Sequence, residues 1–95
     1  MSIVDLDPVI HSRLRLAVMT TLAGLESADF TDLKKITEAT DGNLSTHLSR
    51  LEAAGYIKVK KGYRGKRPLT TCRMTPAGRT AFERYLDQLK QNLFL

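Results

Sequence analysis

The sequence predicts an α+β domain, mainly helical with one small β-hairpin, and three observations carry that expectation. Apolar residues recur at helical spacing through most of residues 8–55, residues 56–74 alternate in strand fashion around a Gly- and Pro-containing interruption, and a threonine–proline pair opens a last helical segment. Ninety-five residues suffice to bury one core and are too few for two, so residues 1–95 are read as a single domain whose C-terminal helix runs from about 76 to 95.

The first helix is expected from about 8 to 23. Asp7 stands at its cap and Pro8 at its first position, with Ile10, Leu14, Ala17, Val18, Leu22 and Leu25 along one face and Gly24 as its stop. After Glu26-Ser27-Ala28-Asp29, Phe30 is expected in a very short strand or extended turn. Thr31 should then cap a second helix ending near Thr40. Asp41-Gly42-Asn43 reads as a tight turn. From it a third helix begins, with Leu44, Leu48 and Leu51 on its inner face and Gly55 as its C-terminal stop. Residues 56–60 form the first hairpin strand, 62–68 a basic tip, and 69–74 the return strand. Thr75 and Pro76 then start the last helix.

Charge is distributed unevenly along this order. Residues 1–55 carry net −3, residues 56–79 carry eight basic side chains and no acid, and residues 80–95 are neutral, which accounts for the net +5. So many like charges in one hairpin repel unless an external polyanion neutralises them, and nucleic acid is the obvious one. The N-terminus has no basic residue before an apolar run, and no apolar stretch is long enough to span a bilayer. These features predict a cytoplasmic protein with no membrane partner. Cys72 is the one cysteine, and His11 and His47 are far apart. The sequence thus offers no disulfide, metal cluster or cofactor motif, and no catalytic constellation stands out, so an enzyme is not expected. Cys72 is read as a small residue on a half-buried strand, and His11 as lying on the surface of the first helix.

Helix, short helix, turn, helix and basic hairpin is the order of a winged helix-turn-helix, in which the helix after the turn enters the major groove and the hairpin reaches the backbone or minor groove. With its leucines inward, the third helix turns Thr46, Ser49, Arg50 and Ala53 outward, with Asn43 and Ser45 flanking its start. Asn43, Ser45, Thr46, Ser49 and Arg50 are the candidate readers of double-stranded DNA, since arginine matches the guanine edge and small polar side chains let the helix approach. Lys60, Lys61, Arg64, Lys66 and Arg67 are the candidate wing contacts.

The stretch from Ser45 through Arg50-Leu51-Glu52-Ala53-Ala54-Gly55 to Tyr56-Ile57 resembles the recognition helix and first wing strand of MarR-like and ArsR-like regulators. Thr75-Pro76-Ala77-Gly78-Arg79 resembles the segment that follows the wing in MarR-like proteins, and residues 11–19 are similar to their first helix. The likeness is greatest to compact members with a single C-terminal dimerisation helix. It implies a homodimeric transcription regulator, often a repressor, acting on a palindromic operator. It also implies that His47 borders the core. Metal-sensing relatives use clustered ligands that this sequence lacks, and the short C-terminal region leaves little room for a large effector pocket. Phe82, Tyr85, Leu86, Leu89 and Leu93 form a stripe on the last helix that is expected to pack against a symmetry mate and the first helix. Two other readings use the same scaffold, a protein-interaction module and a nucleic-acid binder without sequence preference. The basic hairpin and polar third helix weigh against the first.

Overall fold

The computed structural model describes residues 5–93, and of Leu93 the backbone alone. In chain order the elements are α1 (Arg13–Ala23), β1 (Ala28–Asp29), α2 (Phe30–Thr37), α3 (Asp41–Ala53), β2 (Ile57–Arg64), β3 (Arg67–Met74) and α4 (Pro76–Leu93). The three strands form an antiparallel sheet in the order β1-β3-β2. This is the α+β winged helix-turn-helix expected. Leu6, Ile10, Val18, Met19, Leu22, Leu33, Leu44, Leu48, Leu51, Ile57, Cys72, Phe82 and Tyr85 make one core at the junction of the helices and the root of the hairpin.

Several boundaries differ from those expected, each for a physical reason. The residues after Pro8 form one separate turn, capped by Asp7 Oδ1 on the amides of Val9 (2.8 Å) and Ile10 (3.4 Å), and α1 begins only at Arg13. A continuous helix would have used the carbonyls of Pro8 and Val9 internally. Here the Arg15 guanidinium takes both. The buried face of α1 is therefore Arg15, Val18, Met19 and Leu22, while Leu25 is exposed. His11 precedes the helix instead of lying on it, and its Nδ1 is 2.8 Å from Tyr85 Oη.

Downstream, the strand is Ala28–Asp29 and Phe30 already belongs to α2. Asp29, not Thr31, is the cap. Its carboxylate accepts from Asp32 N at 2.8 Å, where negative charge also suits the helix dipole. The helix stops at Thr37 because Glu38 adopts a left-handed conformation (φ 55°). Thr40 then caps α3 by accepting from Asn43 N (3.2 Å), so Asp41-Gly42-Asn43 is the first turn of α3 and the reversal lies at 38–40. Gly55 ends α3 at φ 81°, with its own N–H on Glu52 O and that of Tyr56 on Leu51 O, both bonds of a Schellman stop.

The hairpin is longer and its tip tighter than the sequence suggests. Gly62 pairs with Leu69, Tyr63 with Pro68 and Arg64 with Arg67, which leaves a two-residue turn at Gly65-Lys66. Gly65 at φ 64° supplies the positive angle that a II′ turn needs first. Pro68 is tolerated in β3 because β1 pairs only with Thr71 and Cys72, so its missing N–H would have faced no neighbour. That same short pairing covers Cys72, which is 1% exposed and not half-buried. Burial, and then the Glu52 charge, pushes its thiol up to about 11. It therefore remains protonated and unreactive at neutral pH.

The joint between β3 and α4 explains Thr75-Pro76-x-Gly78-Arg79. Thr75 N donates to Tyr56 O (3.0 Å), Thr75 Oγ1 donates to Gly55 O (2.6 Å) and accepts from Gly78 N (2.9 Å), and Arg79 reaches the Ala23 carbonyl at the end of α1 (3.3 Å). A Cβ at position 78 would lie 2.0 Å from the Tyr56 carbonyl oxygen, a backbone atom that cannot turn aside. Gly78→Ala should therefore destabilise by about 2–3 kcal/mol. Gly42→Ala, exposed within α3 with open space at its Cβ, should stabilise by about 0.5–1 kcal/mol. Urea unfolding of both variants checks the pair, and equal stabilities would contradict the joint described here.

Candidate nucleic-acid interface

The outward face of α3 is built by what its other faces must do. Leu44, Leu48 and Leu51 are buried, and Asn43, Ser45, Thr46, Ser49 and Arg50 are all exposed together on the remaining surface. Thr46 Oγ1 donates to Gly42 O (2.9 Å), so its oxygen is left as an acceptor on that surface. Lys34 Nζ pairs with Asp41 Oδ1 at 2.6 Å and joins α2 to the start of α3. These five residues thus share the exposed surface of α3.

Between α1 and α3 lies a group that the sequence reading misses. Arg15 is only 6% exposed, and its hydrogen bonds among the described residues run to neutral acceptors. Its Nε donates to the Val9 carbonyl, one terminal nitrogen to the Pro8 carbonyl (3.4 Å) and the other to His47 Nδ1 (2.8 Å). Guanidinium has no acceptor, so Nδ1 must hold the lone pair and His47 is neutral with its proton on Nε2. Burial lowers the His47 pKa first, then the charges of Arg15 and Arg50 lower it further. Arg15 is lowered likewise by burial and by Arg50. The charges of Arg15 and Arg50 thus add positive potential on one side of α3. The signal was present in the sequence, since Arg15 stands at i, i+3, i+4 and i+7 with Val18, Met19 and Leu22.

The strand register divides the basic hairpin into two faces. Lys61 and Tyr63, with Thr70 and Pro68 opposite, continue the face of Ile57 and Val59. Lys58, Lys60 and Arg64, with Arg73, Thr71 and Arg67 opposite, lie on the other. A cleft of about 370 Å³ between α3 and the hairpin is lined by Ser45, Ser49, Glu52, Lys61 and Thr70, which identifies the first face as the one turned toward α3. Lys61 therefore shares a surface with the α3 residues, whereas its neighbour Lys60 is directed away. Arg64, Lys66 and Arg67 surround the exposed tip. Tyr63, 76% exposed, adds an aromatic side chain to the α3-facing side that the sequence reading passes over. Glu52 Oε2 accepts from Val59 N at 3.0 Å. Since β2 is an edge strand, this bond uses an otherwise free ladder N–H and fixes the hairpin root relative to α3.

The last-helix stripe separates into two parts. Phe82 and Tyr85 are buried in the core of their own chain and need no partner to cover them. Leu86 is 44% exposed and Leu89 half-buried, while the Leu93 side chain lies outside the described residues. Among the described residues, no three His, Cys, Asp or Glu side chains gather as a metal ion would require, and no helix is long and apolar enough to cross a membrane.

A family profile described as a winged helix DNA-binding domain matches residues 14–93. An uncharacterised protein of Methanocaldococcus jannaschii is 36% identical over 83 residues, covering 87% of this chain and 90% of its own. The solved structure of a transcriptional regulator homologue from Pyrococcus horikoshii superposes with a TM-score of 0.81 at 31% identity, over 92% of this chain and 89% of that one. A MarR-family regulator from Silicibacter pomeroyi shares the fold at a TM-score of 0.67 and 19% identity, with 90% of this chain covering 56% of the larger protein.

The His47 environment has a measurable consequence. Its native pKa lies below the unfolded value of about 6.5, so on acidification the unfolded chain takes up the proton first and stability falls as pH drops below that value. His47→Gln can still accept from Arg15 through its amide oxygen but cannot titrate. It should lose this part of the pH dependence in urea melts between pH 8 and 5, and an unchanged profile would contradict the assigned tautomer.

Proposed function

The chain belongs to the winged-helix DNA-binding domain family, and from that membership we propose that it is a homodimeric, sequence-specific regulator, a repressor on a palindromic operator. The observation that carries this reading is the shared surface of α3 and the α3-facing side of the hairpin. A polar helix face with a single exposed arginine adjoins, across a cleft lined by Lys61 and Glu52, a hairpin whose tip is basic, and the buried Arg15 adds positive charge behind it. A major groove admits such a helix, and phosphates on either side of it meet the cations.

In this reading Asn43, Ser45, Thr46, Ser49 and Arg50 face the base edges. Lys61, Arg64, Lys66 and Arg67 meet the backbone, with Tyr63 against the sugar wall of the adjacent minor groove. Leu86 and Leu89 form the part of α4 that a second copy covers, aided by the first helix. Twofold pairing of this kind sets two recognition helices about 34 Å apart, one duplex turn. A protein-interaction role fits less well, because a partner protein would find a polar helix and a cationic hairpin where an apolar patch is usual.

Selection of bound sites from random duplex DNA tests the reading, and a palindrome with half-sites one helical turn apart is the expected result. On the selected site, Arg50→Ala should cost about 1–3 kcal/mol and much less on random DNA. The Lys66→Ala/Arg67→Ala variant should weaken all duplexes alike and flatten the wild-type salt slope of about −7 per dimer by about 1 for each phosphate deprived of its cation. No enriched motif, or equal losses for Arg50→Ala on both kinds of DNA, would sink the proposal.

A further inference from the structure

The outer side of the hairpin carries a second cationic surface that the α3 interface leaves unused. Lys58 and Lys60 lie two residues apart on one face of β2, and Arg73 stands directly opposite Lys58 in the ladder. Like charges so placed repel. Together they border an open groove of about 440 Å³ whose remaining walls are Glu26, Ser27 and Thr71, above Val59 and Cys72. All three cations are exposed. Among the described residues no salt bridge joins Glu26 to any of them.

We propose that this outer face binds a second duplex segment, so that one protomer holds DNA on both sides of its hairpin. The inference rests on the reading of α3 as the first DNA site. A straight duplex seated on α3 meets the α3-facing side of the sheet and the exposed tip with Arg64, Lys66 and Arg67, and below the tip the body of the sheet separates that duplex from Lys58, Lys60 and Arg73. What the outer face fits is a regular row of anions. Two lysines at i and i+2 of a strand are held roughly 6.7 Å apart, close to the separation of successive phosphates along one nucleic-acid strand. The Ser27 hydroxyl beside them can donate to phosphate oxygens. A rigid ladder holds these cations in place, so little side-chain ordering beyond their own stems opposes binding.

Bridging between two duplexes tests this directly. Full-length protein is mixed with a biotin-tagged duplex bearing the selected site and a fluorescent duplex of unrelated sequence, and the fluorescence retained on streptavidin beads is measured. Wild-type protein should retain the second duplex. The Lys58→Ala/Lys60→Ala/Arg73→Ala variant should retain about tenfold less at moderate salt, while its affinity for the single tagged duplex changes by less than about twofold. Lys58→Arg/Lys60→Arg, which keeps both charges, should behave as wild type. Three results would each overturn the proposal: no retention by wild type, retention that survives the triple variant, or a parallel loss of single-duplex affinity, which would put the outer face on the first duplex. Arg50→Ala on the tagged site alone reports separately on the α3 reading.

Discussion

Arg15 is a buried cation held by neutral acceptors, and the placement of α3 depends on how its donors are satisfied. A guanidinium removed from water must find acceptors for its N–H groups or the site is lost to solvent. Two carbonyls of the turn after Pro8 and the Nδ1 of His47 supply them. That arrangement separates the first turn from α1, ties both to α3, and sets the tautomer of a histidine on α3. It also sets the positive charge of Arg15 between α1 and α3 among neutral acceptors. An anionic partner approaching α3 therefore meets a potential that was established by the fold before binding.

The hairpin is positioned by a different kind of constraint, the geometry at its root. The Schellman stop at Gly55 turns the chain out of α3, Glu52 captures the Val59 amide at the edge of β2, and Tyr56 receives both Thr75 and the close approach of Gly78. The hydroxyl of Tyr56 donates to Asp7, which pushes it up to about 12 and links the N-terminal turn to the same junction. From so fixed a root, strict alternation along β2 and β3 distributes lysines and arginines to two opposite faces. The family match gives the class of partner, and the register gives the faces on which its phosphates can lie.

Features set by local chemistry were legible in the sequence. The Leu44, Leu48 and Leu51 stripe, the Gly55 stop and the Thr75-Pro76 start need only nearby residues, and the exposed face of α3 follows from them. What was not legible depends on partners distant in the chain. The start of α1 moves because Arg15 claims carbonyls from the preceding turn. Strand β1 exists only through its pairing with Thr71 and Cys72, which also buries the cysteine. Lys60 and Lys61 are equal in sequence and opposite in space, a distinction that needs the register and the position of α3. Phe82 and Tyr85 looked surplus to a small core until the first turn and α1 were folded against them.

Amide chemical shifts of labelled protein, followed during titration with the selected duplex, test the central claim most directly. The amides of residues 43–50 and 61–67 should shift together in the first, stoichiometric phase, with those of α4 unmoved. Shifts confined to α4 or to the outer hairpin face, with residues 43–50 unmoved, would contradict it.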